Sequence, residues 1–256
     1  MATIIPPRWR FGLVFGGRRL ADLVFPPACA FCQGELLAED GELRLCGRCV
    51  HTLAPLGVAR CPRCGLRIPG GLTRGADCES CRGNRQSFEA VWTLGEYHDL
   101  LRDAALRGKR PEGQELVAAL AGLAIERHGN EIRDWRPDLI VPTPMHWLRR
   151  AWRGANSPEI VAEAVGAPLQ VPCARFGLRR QRFTKPQAGL PQRERRSNVR
   201  GAFRVNAGYD FQDARVLLVD DILTTGATLG EMGRVAREAG ATAVAAVVLA
   251  RASGDW

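Results

Sequence analysis

Eight of the nine cysteines fall into four Cys-x-x-Cys pairs: Cys29/Cys32, Cys46/Cys49, Cys61/Cys64 and Cys78/Cys81. Thirteen residues separate the two pairs within each half, and a constant offset of 32 relates every cysteine of the first half to its counterpart in the second. This self-similarity marks an internal duplication, each copy carrying four thiols. A Cys-x-x-Cys turn lets two thiolates converge on one ion, and two such turns complete a tetrahedral site of four sulfurs. A disulfide framework would need an oxidising compartment, and Met1 to Arg10 lacks the order of a secretory signal. An iron–sulfur cluster is the other four-sulfur option, but regular pairs in a small Gly- and Pro-rich segment favour zinc ribbons. The spacing predicts two structural zinc ions, with every coordination position taken by a protein thiolate. Equal gaps favour Cys29, Cys32, Cys46 and Cys49 on one ion and Cys61, Cys64, Cys78 and Cys81 on the other; an interleaved pairing stays open. Cys173 stands alone and reads as a small buried hydrophobe.

From Cys29 to about Arg85 there is little periodic apolar pattern, so metal ligation must substitute for a hydrophobic core. Upstream, Phe11 to Phe25 is apolar but interrupted by Gly16-Gly17 and closed by Pro26-Pro27. A short helix docked on the protein fits that pattern better than one lying on a membrane. Residues 1–87 are thus expected to form an N-terminal helix and a double zinc ribbon, and residues 88–256 a second domain. There Ala90–Tyr97, Asp138–Val141, Arg215–Val219 and Ala241–Ala250 read as strands, alternating with helices over Leu100–Leu106, Glu115–Arg127, from Ser157 onward, and Thr228–Ala239. Strands apolar on both faces that alternate with helices indicate an α/β fold with a parallel sheet flanked by helices. The 46% hydrophobic composition excludes a disordered chain, and the longest apolar run, Ala241–Ala250, is too short to cross a bilayer. The expectation is a cytoplasmic protein without membrane insertion.

The net charge of +9 is concentrated in one stretch. Val171 to Arg204 holds nine arginines and Lys185 against Glu194 alone, and the rest of the chain balances. A solvated loop is the ordinary reading of such a run. Placed between strands of an α/β domain, it reads better as an anion-binding loop for phosphates or a nucleic-acid backbone.

The sharpest motif runs from Arg215 to Thr228. An apolar strand ends in Asp220-Asp221, passes through Thr224-Thr225-Gly226-Ala227, and enters a helix at Thr228. Backbone N–H groups at the helix start, with the threonine hydroxyls, can ring a phosphate, and Gly226 lets the backbone approach closely. Asp220 and Asp221 are placed to accept hydrogen bonds from vicinal sugar hydroxyls or to help hold Mg²⁺. Together these make a cradle for ribose 5-phosphate. A phospho-acceptor aspartate is a rival reading that leaves the hydroxyl loop without a role.

The residues Val219 to Thr228 resemble the signature of type I phosphoribosyltransferases, which binds phosphoribosyl pyrophosphate. Leu178 to Val205, Val141 to His146 and the N-terminal Cys-x-x-Cys knuckles resemble one subfamily, the ComF/GntX proteins. The resemblance implies that Asp220 and Asp221 hold the ribose hydroxyls and that Thr224, Thr225, Gly226, Ala227 and Thr228 hold the 5′-phosphate. It assigns the turn containing Pro142 and Thr143 to pyrophosphate. It makes the segment around Arg182 and Lys185 a loop that closes over substrate and neutralises the leaving group. Mg²⁺ and the basic residues would stabilise departing pyrophosphate while a nucleophile attacks the oxocarbenium-like ribose. One departure stands at Arg153 to Ser157, where family members carry Phe and Gln in place of Ala155 and Ser157. Of the four histidines only His146, just past the pyrophosphate turn, has a functional position.

Two functions follow. One is a phosphoribosyltransferase acting on an unidentified acceptor, in nucleotide metabolism or DNA uptake. The other is a non-catalytic adaptor of the DNA-uptake machinery that keeps the ribose-phosphate site and contacts single-stranded DNA or DNA-uptake proteins. For the metal, elemental analysis is expected to find two zinc ions per chain; one ion or none contradicts the duplication argument.

Overall fold

The computed structural model describes residues 27–37, 40, 43–68, 78–82, 87–146, 156–185, 187 and 189–252. The expected N-terminal docked helix and Arg153 lie outside them. The 32-residue repeat is visible in the backbone. Ala28 bridges Glu35 and Arg60 bridges Arg67; Cys29 N–H donates to the Gly34 carbonyl at 2.7 Å and Cys61 N–H to the Leu66 carbonyl at 2.8 Å. The left-handed position of each knuckle is Gln33 in the first copy and Gly65 in the second. Gln33 is exposed. At Gly65 a Cβ would stand 3.1 Å from Val91 and 3.2 Å from Thr93, so only glycine fits both the φ of +74° and the close approach to the sheet. Helix α1 (Gly47–Leu53) completes the first ribbon.

Four parallel strands form the main sheet in the order β1 (Val91–Glu96), β6 (Ala243–Arg251), β5 (Arg215–Leu223), β2 (Leu139–Pro142). Between β1 and β2 lie α2 (Asp99–Arg107), a short 3₁₀ turn at Pro111–Gly113, and α3 (Gln114–Trp135). Helix α4 (Ser157–Leu169) follows β2, and α6 (Ala227–Glu238) joins β5 to β6. Side chains alternate across the sheet as the pleat requires. Leu217, Val219, Ala245, Val247 and Leu249 pack with α3 and α4, while Val216, Leu218, Val244, Ala246 and Val248 pack with Leu229, Met232 and Val235 of α6. This is why β5 and β6 read as continuous apolar runs: neither face meets water.

The arginine-rich stretch differs from the expected loop. It forms an antiparallel hairpin, β3 (Leu178–Arg180) with β4 (Phe203–Val205), that carries helix α5 (Gln192–Val199) in its connection. The polar sequence of α5 has no apolar stripe to announce it. Asn198 supplies the order: its Nδ2 donates to the Lys185 carbonyl and to Gln187 Oε1, both at 3.0 Å, and its Oδ1 accepts from the Lys185 N–H at 3.2 Å.

The first ribbon is bonded into the same core as the sheet. Cys29, Phe31, Leu45 and Leu53 cluster with Leu94, Leu101, Leu116 and Leu120. Arg107 stacks over the Phe31 ring at 4.9 Å and donates to the Phe31 carbonyl at 2.9 Å. No helix among the described residues is long and apolar enough to cross a membrane. Leu120 is fully buried where ribbon, α3 and sheet meet. Leu120→Ala is expected to cost about 2–5 kcal/mol in urea denaturation, and a loss below about 1 kcal/mol would contradict that packing.

Candidate functional site

The two cysteine groups are resolved as sequential, not interleaved. Ligand atoms of Cys29, Cys32, Cys46 and Cys49 lie within 4.8 Å of one another, as do those of Cys61, Cys64, Cys78 and Cys81. Sulfurs of Cys32 and Cys46 are 3.7 Å apart, Cys64 and Cys78 3.5 Å, and Cys61 and Cys81 3.9 Å. Four sulfurs placed tetrahedrally at about 2.3 Å from zinc are about 3.8 Å from each other, so the donor sets fit zinc. Their electrostatics ask for a cation as well. Burial would raise Cys29, yet backbone N–H groups of Cys32 and Cys46 outweigh it and bring it to about 7; burial and neighbouring thiols drive Cys49 and Cys81 upward. Cys173 is pushed up to about 12, chiefly by burial, as an inert thiol would be.

Asp220 and Asp221 sit at the carboxyl end of the sheet, but within β5 rather than beyond it. The strand continues to Leu223 because Asp220 pairs with Val248 and Ile222 with Ala250 of β6. Asp220 Oδ1 accepts from the Asp221 N–H at 2.9 Å, and Asp221 Oδ1 from the Ile222 N–H at 2.8 Å, which holds both carboxylates against their own backbone. By the pleat alternation Asp221 follows Val219 toward the α3 face, and there Lys109 Nζ lies 3.6 Å from its Oδ2. Burial, and then the charge of Asp221, push the Asp220 carboxyl well above the usual carboxylate range; Lys109 offsets this only in part. Two crowded carboxylates with one nearby lysine form an oxygen donor set suited to a hard divalent cation such as Mg²⁺.

The loop after β5 has the form of an anion cradle. Gly226 takes the left-handed conformation, φ 73°, as N-cap of α6. The buried Thr225 accepts from the Ala227 N–H through Oγ1 at 3.3 Å, and Thr228 stands in the first turn. No acidic residue occupies that turn, so the positive end of the helix dipole has no countercharge within its own first turn. Pro142 pairs with Val219, and Thr143 N–H donates to the Val219 carbonyl at 2.8 Å, which puts the β2 turn beside the acids. Asn156 steadies that turn, donating to the Thr143 carbonyl at 3.3 Å and to Glu159 at 2.9 Å.

Arg182 and Lys185 belong to a neighbouring cluster. Arg182 donates to the Asn198 and Arg200 carbonyls, both at 2.9 Å, and the two residues line a cavity of about 400 Å³ with Thr184, Leu190, Glu194 and Asn198. His146 is buried and meets Phe183 edge to face at 5.2 Å, joining the β2 turn to that cluster. A second cavity, of about 580 Å³, adjoins Gly226, Ala227 and Gly230 and is lined by Arg193, Arg196, Arg200 and Arg234.

Lys109 is the site residue that sequence reasoning did not assign. Its turn is fixed by two glycines: a Cβ on Gly108 would fall 2.5 Å from Val117 and one on Gly113 2.1 Å from the Arg107 carbonyl. Ser157 Oγ donates to the Gly108 carbonyl at 2.8 Å and ties the turn to α4.

An acid whose folded pKa is raised costs stability once pH passes its unfolded value of about 3.9, because the native state then retains the proton longer. Asp220→Asn removes that cost. The ligand-free variant is expected to melt above the parent at neutral pH, the gap closing toward pH 3. A lower melting temperature at pH 7 would contradict the crowded-carboxylate picture.

Residues 20–82 match the model of a double zinc ribbon domain, and residues 112–256 that of a phosphoribosyl transferase domain. Competence protein F of Haemophilus influenzae is 28% identical over 229 residues, covering 88% of this chain and 96% of the relative. DNA utilization protein YhgH of Escherichia coli K12 is 29% identical over 90% of this chain and 99% of its own length. Competence protein ComFC of Streptococcus pneumoniae is 28% identical over 84% of this chain and 91% of that protein. With its double zinc ribbon ahead of the transferase-type sheet, the chain belongs to the phosphoribosyl transferase domain family, as a ComF/GntX member.

Proposed function

We propose that the chain binds phosphoribosyl pyrophosphate with Mg²⁺ and acts as a type I phosphoribosyltransferase in the handling of incoming DNA. One observation carries the reading: a crowded carboxylate pair on β5 directly precedes an acid-free helix start capped by left-handed Gly226. In this assignment Asp220 and Asp221 take the ribose hydroxyls, and Thr224, Thr225, Gly226, Ala227 and Thr228 take the 5′-phosphate. Pro142 and Thr143 face the pyrophosphate, with Arg182 and Lys185 neutralising it as it leaves. Mg²⁺, held through the aspartate oxygens, supplies charge neutralisation at the leaving group. Lys109 adds a further role: its ion pair at 3.6 Å steadies the Asp221 side chain. The names of the relatives, in competence and DNA utilization, support the cellular role. Residues 1–87 then serve as a zinc module and 88–256 as the transferase unit.

A second reading, single-stranded DNA binding, is favoured by the cavity of four arginines whose one carboxylate, Glu231, is committed to Arg234 at 2.7 Å. Phe176 and Phe183, both more than half exposed, belong to the same arginine-rich stretch. A steep salt dependence of oligonucleotide affinity would support it, and no binding at low salt would exclude it.

Calorimetry with phosphoribosyl pyrophosphate and Mg²⁺ tests the first reading. Asp220→Asn and Asp221→Asn are each expected to weaken binding by about 1–3 kcal/mol, the worth of a charge-assisted hydrogen bond. Unchanged affinity in the double variant would remove the assignment.

A further inference from the structure

Strand β6 ends in a charged side chain that is almost wholly shut away from water. Arg251 is 1% exposed, at the last position of the strand, in register with Leu223 of β5 and Glu96 of β1. A buried guanidinium must find acceptors for its fork of donors. Its Nε donates to the Cys64 carbonyl at 2.8 Å. Its Nη1 donates to the Leu223 carbonyl at 3.0 Å, to the Thr224 carbonyl at 2.7 Å and to the carbonyl of Ala252. One rigid group therefore joins a ligand residue of the second cysteine set to the residues that lead into the phosphate loop.

The knuckle on the other side of Arg251 has little room to move. Pro62 accepts from the Val91 N–H at 2.8 Å, and Gly65 lies against Val91, Thr93 and the Arg251 Cδ. The Cys61–Cys64 turn fixes where the Cys64 carbonyl points, and a zinc ion held by Cys61, Cys64, Cys78 and Cys81 would hold that turn in shape. The first ribbon makes no comparable link among the bonds described above: its anchors run to Arg107 of α2 and to the α3 core.

We propose that zinc in the second ribbon is coupled to the phosphate loop through Arg251, a positioning residue that transmits the geometry of the Cys61–Cys64 knuckle to Leu223 and Thr224. The coupling rests on reading residues 224–228 as the ligand loop, but its first test needs no ligand. Removing that zinc loosens the loop. By reciprocity, a ligand in the loop slows release of that zinc and not of the other.

Hydrogen exchange at the amides of residues 224–228 is measured in the full, zinc-loaded chain and in Cys64→Ser, Cys32→Ser and Arg251→Lys. Exchange is expected to rise at least about fivefold in Cys64→Ser and in Arg251→Lys, which keeps the charge but not the fork, and to stay unchanged in Cys32→Ser. Equal exchange in all chains, or an equal rise in Cys32→Ser, overturns the proposal. Should Cys64→Ser fail to fold, Arg251→Lys carries the same comparison. In a second measurement, a chromophoric chelator draws zinc from the parent chain with and without phosphoribosyl pyrophosphate and Mg²⁺. Slowing of one of two release phases, lost in Arg251→Lys, supports the coupling. Bound ligand that slows neither phase overturns it, whereas absence of ligand binding by calorimetry overturns the proposed function and leaves the exchange result to decide the coupling.

Discussion

All nine side chains of β6 are buried, and its partner β5 is buried on both faces as far as Val219. A parallel sheet covered by helices leaves polar chemistry only one outlet, the edge where the strands end at their carboxyl termini. Polar groups from four separate elements meet at that edge. Asp220 and Asp221 arrive on β5, Thr143 on the turn after β2, Lys109 on the turn before α3, and Arg251 at the end of β6. The apolar interior fixes the strand register, and the register fixes which polar groups become neighbours.

The duplicated ribbons are equal in spacing and unequal in use. Each repeats the same bridge and the same left-handed turn, yet the first copy keeps an exposed Gln33 there and the second a Gly65 pressed on the sheet. That substitution brings the second knuckle within hydrogen-bond reach of Arg251, while the first is held by Arg107 stacking on Phe31. A metal-stabilised module that needs no core of its own can in this way be pressed close to a functional loop.

The sequence announces what depends on local spacing. The cysteine pairs, the Asp-Asp step and the hydroxyl- and glycine-rich turn all lie within a few residues of their partners, so the two cysteine sets and the strand–turn–helix that carries the acids are legible before any fold is known. Lys109 and Arg251 are not, because each reaches the site through tertiary packing: Lys109 from a turn far upstream of Asp221, Arg251 as the last residue of an apolar run. Helix α5 escapes for a different reason. Its residues carry no 3.6-residue apolar period, and its order comes from Asn198 binding back to Lys185 and Gln187. The strand limit after Val219 fails similarly, since acids are poor strand formers whose place is set here by pairing with β6.

The ribose-phosphate assignment of this edge is tested most directly by a crystal structure of the full chain grown with phosphoribosyl pyrophosphate and Mg²⁺. The account predicts the 5′-phosphate on the amides of residues 225–228, with the ribose hydroxyls on Asp220 and Asp221 and the cation at their oxygens. Ligand density lodged instead among Arg193, Arg196, Arg200 and Arg234, with the β5 edge empty, would contradict it.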